Sequence, residues 1–309
     1  MIRDFFDQQR AFANVAATLR LKSGEWAFLC NGHMGDTFAL CSFAKALLTQ
    51  KGGEGFVAVV RSSAQDLPIL LPGVTRVFIE KLPPVGMGVQ LYDLGRHFSN
   101  GLKPGRIIPA PNRLWTLLGS HRGQNMYSEM SRYLGLREGT RPSRPLRPSA
   151  VSVGLARDLL ERHNLLSERT VILAPHSLYL PPVPMIWWKL VRDFLAERGL
   201  SVVTNVAGSE RAVEGTAALN IPLSLLGSVA ESCAAVISAR SGLADILAGY
   251  NTKLAVLYLS TPFGFLKRRS IDTFGFAQVR DYLIRELILS PTPTVDEIDL
   301  LYKTITNLI

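Results

Sequence analysis

Ala235-Val236-Ile237-Ser238-Ala239-Arg240-Ser241-Gly242-Leu243-Ala244-Asp245 reads as a strand that runs straight into a helix. Ala235–Ser238 is short and apolar, as a strand buried on both faces should be. Ser241-Gly242 then opens a helix that the pattern carries to about Gly249. A strand followed at once by a helix is half of a crossover unit, and crossover units build parallel sheets. So short a junction also directs several backbone N–H groups at whatever lies beyond the strand. Unpaired donors and the aligned helix dipole suit such a point to phosphate. Ser241 adds a hydroxyl, and Arg240 a planar fork for phosphate oxygens. A capped helix with a solvated arginine is the simpler alternative.

The same rhythm extends to both sides. In the second half, Ser152–Asn164 is expected to be a helix, Thr170–Ala174 a strand, and Trp187–Arg198 a helix closed by Gly199. Ser201–Val206 follows as a strand, Ser209–Ala217 as a helix, Pro222–Leu225 as a short strand, and Ser228–Cys233 as a short helix. Lys253–Leu259 closes the series of strands, and Val295–Ile309 is a terminal helix. In the first half, Trp26–Cys30 and Phe56–Val60 read as buried strands. Asp36–Gln50 between them reads as one helix, with Leu40, Phe43, Ala44 and Leu47 on one face and Gly52-Gly53 as its stop. Arg76–Ile79, Gln90–Asp93 and Arg106–Pro109 are further strands, and Met126–Leu136 is helical.

Between the halves, Pro142, Pro145 and Pro148 recur every third residue in an arginine-rich stretch. That spacing excludes a regular helix or a central strand. The stretch is expected to link two domains, 1–148 and 149–309, in a chain of 309 residues. An ordinary surface loop within one domain is the alternative. The fold class that follows is α/β, with two Rossmann-like domains whose parallel sheets face a cleft.

Composition narrows the function. Hydrophobic residues make up 47% and charged residues 19%, enough apolar material for two buried cores. No run approaches the roughly 18–20 apolar residues that span a bilayer. Charges at Arg3, Asp4 and Arg10 occupy the place of a signal peptide's apolar segment. A cytoplasmic protein is expected. Cys30, Cys41 and Cys233 show neither metal-ligand nor disulfide spacing and are read as small buried hydrophobes. The net charge of +9 is dispersed, without a nucleic-acid motif or an array of stacked aromatics. Phosphate-rich small molecules or an anionic membrane surface are the expected partners, and nucleic acid is not.

Ligands of open parallel sheets bind beyond the carboxyl ends of the strands. Two more loops lie there. Asn31-Gly32-His33-Met34-Gly35-Asp36 follows the first strand, and its glycines permit a tight turn and close approach to a ligand. Asp36 fits a general base there, or a helix N-cap. The loop lacks G-x-G-x-x-G, which weighs against a nicotinamide cofactor. Pro175-His176-Ser177 ends the strand Thr170–Ala174, and His176 fits either a ligand contact or an internally bonded loop residue. Trp187 and Trp188 are read as packing residues.

At these positions the chain resembles glycosyltransferase family 9, the ADP-heptose:lipopolysaccharide heptosyltransferases of GT-B architecture. The family's G-x-x-G-D loop is matched by Gly32, Gly35 and Asp36, with His33 inside it. Its strand, turn and tryptophan-containing helix are resembled by Val171–Trp188. Its D-[ST]-G-x-x-H donor motif is resembled by Arg240-Ser241-Gly242-Leu243-Ala244-Asp245. Arg240 stands where the family has an acidic residue, and Asp245 where it has histidine. The lysine that precedes the family's tryptophan helix is absent from Leu178–Ile186, and Lys189 follows the tryptophans.

The resemblance implies an inverting, metal-independent transfer from a nucleotide-diphosphate sugar, with no cofactor. Asp36 would be the catalytic base, with Gly32, His33 and Gly35 in the acceptor loop. His176, Ser177, Arg240, Ser241, Gly242, Leu243 and Asp245 would hold the donor. The acceptor would be a cell-envelope glycan or another glycoconjugate such as a glycolipid, reached by peripheral contact with the inner membrane surface. Lys267-Arg268-Arg269 would meet acceptor or lipid phosphates, or form a solvated turn. A nucleotide-sugar epimerase, or a catalytically decayed nucleotide-sugar-binding scaffold, are the rival readings.

Overall fold

The computed structural model describes residues 16–17, 19–30, 34–60, 64–79, 107–109, 126–177, 181–260 and 283–309. The strand expected at Gln90–Asp93, the loop residues Asn31, Gly32 and His33, and the basic turn Lys267–Arg269 lie outside the described residues. The chain divides into two compact units, one ending at Leu146 and the other starting at Arg147.

In the first unit, β1 (Glu25–Cys30), β2 (Gly55–Val60), β3 (Val74–Ile79) and β4 (Ile107–Pro109) form one sheet in the order β3-β2-β1-β4. Every pairing in it is parallel. Its apolar runs are buried as expected, with all six residues of β2 inside. Phe28 and Phe56 stack across neighbouring strands, with ring centroids 4.2 Å apart. The helix expected over Asp36–Gln50 is two helices instead, α1 (Met34–Cys41) and α2 (Ala44–Lys51). The break lies at Ser42-Phe43. Ser42 Oγ donates to the Ala39 carbonyl at 2.7 Å, and the Ser42 carbonyl accepts from the Ser143 amide at 2.7 Å. A serine that bonds locally competes with the helix ladder in this way. Leu40, Phe43, Ala44 and Leu47 are nevertheless all buried. After α3 (Met126–Tyr133), the proline-rich stretch is laid along this unit. Gln50 bonds both Thr140 and the Arg137 amide, and the Leu146 amide donates to Leu70.

Glu25 and Arg76 tie β1 to β3 across the intervening β2. Arg76 donates to both carboxylate oxygens, through Nε at 3.1 Å and Nη2 at 2.5 Å. The hydrogen bond from Arg76 holds the Glu25 carboxyl below its ordinary range, against the opposing push of burial. A carboxyl depressed in the folded state stabilises above its unfolded value, and that stability is lost as pH falls through the folded value. Thermal unfolding of Glu25→Gln should therefore lie below that of the wild type at neutral pH and converge with it in acid. The difference will be modest, because Arg76 is part-exposed. Parallel pH profiles for the two proteins would contradict this linkage.

The second unit begins with α4 (Ala150–Arg162), capped by Ser149, whose side chain accepts from the Ser152 amide. Six strands follow: β5 (Thr170–Ala174), β6 (Ser201–Asn205), β7 (Ala217–Leu219), β8 (Ala235–Ala239), β9 (Leu254–Leu259) and β10 (Ile284–Leu289). They form one parallel sheet in the order β10-β9-β8-β5-β6-β7. Helices α5 (Met185–Ala196), α6 (Leu226–Ser232), α7 (Gly242–Leu247) and α8 (Val295–Thr306) complete the unit. A capping box closes the start of α8: Thr294 accepts from the Glu297 amide while Glu297 returns to the Thr294 amide. Trp187, Trp188, Val191 and Leu195 of α5 pack with Leu301 and Ile305 of α8 against one core.

Three expectations fail here. Ser209–Ala217 is not a helix but a run of turns ending in β7. Glu210 accepts from the Ala207 amide at 2.8 Å, and Thr204 Oγ1 accepts from the Val213 amide at 3.1 Å. The Thr204 bond takes an amide that a helix over this segment would need. Pro222–Leu225 is not a strand, since Leu223–Leu225 forms a single 3₁₀ turn after Pro222. Lys253–Leu259 does not close the series, because β10 adds an edge strand beyond it.

Cys30 and Cys41 behave as the buried hydrophobes expected, whereas Cys233 is only part-buried. Cys30 and Cys41 lie inside with their Sγ atoms 3.8 Å apart. Burial pushes the Cys233 thiol up to about 12. Among the described residues no helix is long and apolar enough to cross a membrane.

Candidate functional site

Strand order locates the candidate site within each unit. In the second unit, β5, β6 and β7 step outward in one direction, whereas β8, β9 and β10 step the other way. The order reverses between β5 and β8, and a crevice opens beyond the carboxyl ends of strands at such a reversal. Ala174 of β5 sits opposite Ser238 of β8. Pro175-His176-Ser177 and Arg240-Ser241 therefore leave the sheet from adjacent strands. In the first unit the reversal falls between β1 and β4. The chain leaves β1 at Cys30 and enters α1 at Met34, so Gly35 and Asp36 lie in that helix's first turn. The Asp36 side chain, like Gly32 and His33, lies outside the described residues.

Around Arg240 the geometry is tight. Its backbone amide donates to the Leu257 carbonyl at 3.0 Å, fixing the start of the side chain against β9. Its Nη1 donates to the Ser241 carbonyl at 2.8 Å and to Asp245 Oδ2 at 2.9 Å. The two side chains are only 11% and 4% exposed. Arg240 is therefore not the solvated arginine of the simpler sequence reading. Asp245 sits within the first turn of α7, buried and facing that guanidinium. Ser241 occupies the N-cap position in extended conformation, yet its side chain makes no capping bond. Its Oγ is buried without a hydrogen-bond partner. Gly242 and Leu243 follow it, part-buried, at the helix start.

His176 is engaged locally. Its Nε2 lies 2.9 Å from the Arg211 carbonyl. A carbonyl only accepts, so Nε2 is the donor in this contact. Ser177 beside it is part-buried. Lys189 pairs with Glu214, whose carboxyl it holds below the ordinary range.

A shallow depression lies beyond the ends of β8 and β9. Pro181, Val183, Leu257 and Leu259 give it apolar walls, and Arg240 and Tyr258 its polar groups. Small-molecule sites combine apolar walls with a few polar groups in this way. Trp188 Nε1 donates to the Val183 carbonyl at 3.3 Å and so braces one wall from behind. Tyr258 donates its hydroxyl to Glu286 of β10 at 2.5 Å. Sequence reasoning passed over Tyr258 and Glu286. Their one signal was polarity at the outer end of an apolar strand and within the unrecognised edge strand.

The chain matches no protein-family model and no curated protein sequence. Solved structures do resemble it. The family 9 glycosyl transferase from Veillonella parvula DSM 2008 aligns over 94% of this chain and 91% of its own, with a TM-score of 0.58 and 14% identity. E. coli ADP-heptose LPS heptosyltransferase II aligns over 91% and 99%, with a TM-score of 0.57 and 15% identity. The E. coli heptosyltransferase WaaC with ADP aligns over 92% and 100%, with a TM-score of 0.54 and 13% identity. The two parallel α/β units of this chain have the fold of the family 9 glycosyltransferases and ADP-heptose heptosyltransferases, the GT-B class.

Proposed function

We propose that the protein is a glycosyltransferase that moves a sugar from a nucleotide-diphosphate donor to a cell-envelope glycan or other glycoconjugate, inverting the anomeric centre without a metal. The observation that carries this reading is the buried, unbonded Ser241 hydroxyl beside Arg240, at the reversal of strand order in the second unit. A buried hydroxyl left unbonded is costly, and a ligand oxygen arriving there removes that cost. Arg240, Ser241 and the amides of Gly242 and Leu243 would take the donor's phosphates and stabilise the charge that builds on the leaving group. His176 and Ser177 would contact its hydroxyls. Asp36, with Gly32, His33 and Gly35 around it, would accept the proton of the acceptor hydroxyl as that oxygen attacks the anomeric carbon. The new bond forms on the face opposite the departing diphosphate, which is why the centre inverts.

ADP is the first probe, because the solved WaaC structure holds ADP. At a hundred times its dissociation constant, a ligand that binds only the folded protein stabilises by about 2.7 kcal/mol, and a melting curve resolves that shift. Nucleoside diphosphates and their sugars should raise the melting temperature, and the transferred sugar should show inverted configuration by NMR. Arg240→Ala should weaken binding about 10- to 100-fold, as expected for loss of hydrogen bonds to a charged group. A chain that binds none of these nucleotides is not this enzyme. Turnover of the donor without any acceptor would favour an epimerase.

A further inference from the structure

We infer that Asp245 is a positioning residue: it aims the Arg240 guanidinium into the depression at the ends of β8 and β9, and Arg240 in turn meets the donor's diphosphate. This rests on the glycosyltransferase reading and deepens it, since it replaces Asp245 as a direct donor contact. Three bonds define the geometry. The Arg240 amide is held by Leu257, and its Nη1 is held by the Ser241 carbonyl and by Asp245 Oδ2. A guanidinium is planar, so two bonds from one terminal nitrogen fix the plane of the whole group. Arg240 lines the depression, together with Pro181, Val183 and Tyr258. Asp245 itself is almost wholly enclosed and is turned toward the arginine.

A fold does not by itself call for such a pair, because well-packed apolar residues of similar size commonly replace a buried ion pair without loss of stability. Two roles then compete. If Asp245 served to neutralise Arg240, its removal would leave an extra positive charge and anions would bind more tightly. If it fixes the arginine's direction, its removal lets the side chain sample other rotamers, and binding must freeze them again. The two roles predict opposite signs. With two bonds converging on one terminal nitrogen and the backbone amide pinned, direction wins.

The test is titration of the full-length protein with ADP and, separately, with adenosine. Asp245→Asn should weaken ADP binding about tenfold, the worth of one charge-assisted hydrogen bond, and leave adenosine binding unchanged. If Asp245→Asn does not fold, Asp245→Glu keeps the charge but displaces it by one methylene and should lose ADP selectively as well. The double variant Arg240→Met/Asp245→Leu should melt at the wild-type temperature and bind ADP as weakly as Arg240→Met alone, since the two residues act as one unit. Unchanged or tighter ADP binding by Asp245→Asn overturns the inference. Equal losses for ADP and adenosine overturn it too, because they mark a structural role. A wild-type protein that binds no nucleoside diphosphate sinks both this inference and the glycosyltransferase reading, whereas the other two outcomes leave that reading standing.

Discussion

Asp36→Asn is expected to cut sugar transfer by roughly 10²- to 10⁴-fold, the usual worth of a positioned general base, while the donor still binds. The substitution keeps the shape of the side chain and removes only its capacity to take a proton. Magnitude separates this role from the structural one. Asp36 lies in the first turn of α1, where a carboxylate also favours the helix dipole. That interaction is worth about 0.3–1 kcal/mol at an exposed helix end, so its loss lowers the melting temperature slightly and the rate hardly at all. A measured kcat that collapses with intact ADP affinity identifies the base. If Asp36→Asn transfers sugar at the wild-type rate, the base lies elsewhere. Glu25 is no substitute, because it is committed to Arg76 at the opposite end of β1.

The alternation of strand and helix was legible because parallel strands are buried on both faces and read as continuous apolar runs. β2, β5 and β8 are of this kind, and each is wholly buried. What escaped were elements whose state depends on partners far away in sequence. β10 carries Arg285 and Glu286 and looks like a loop, but an edge strand tolerates charge, and one edge of β10 pairs with β9. Ser209–Ala217 has a helix-like pattern, yet Thr204 claims the Val213 amide within it. The break between α1 and α2 involves Ser143, about a hundred residues onward, whose amide donates to the Ser42 carbonyl. At the site, the positions of His176, Arg240 and Ser241 were legible as strand ends. Their bonds were not. Nothing in the spacing of residues 240 and 245 says that a guanidinium and a carboxylate meet inside the protein, nor that His176 turns to Arg211.

Trp187→Ala should cost the second unit about 3–5 kcal/mol, the range for removing a large buried aromatic side chain. Trp187 is wholly buried in the core that α5 and α8 share. Its Nε1 also donates to the Ser290 carbonyl at 2.9 Å, a bond that joins α5 to the turn between β10 and α8. Alanine would leave a cavity the size of an indole and strip that carbonyl of its donor. For a unit of this size, each kcal/mol is worth about 2–4 °C, so the melting temperature should drop by roughly 6–20 °C. Trp187→Phe separates the two contributions: it refills most of the cavity but cannot donate, and its smaller loss should reflect the hydrogen bond, about 0.5–1.5 kcal/mol, plus the residual void. The consequence reaches the site through the next residue. Trp188, on the same helix, braces Val183 in the wall of the depression beside Arg240. A loosened α5 should therefore weaken ADP binding at temperatures well below the melting point. If Trp187→Ala melts with the wild type, the indole is not the keystone of this core.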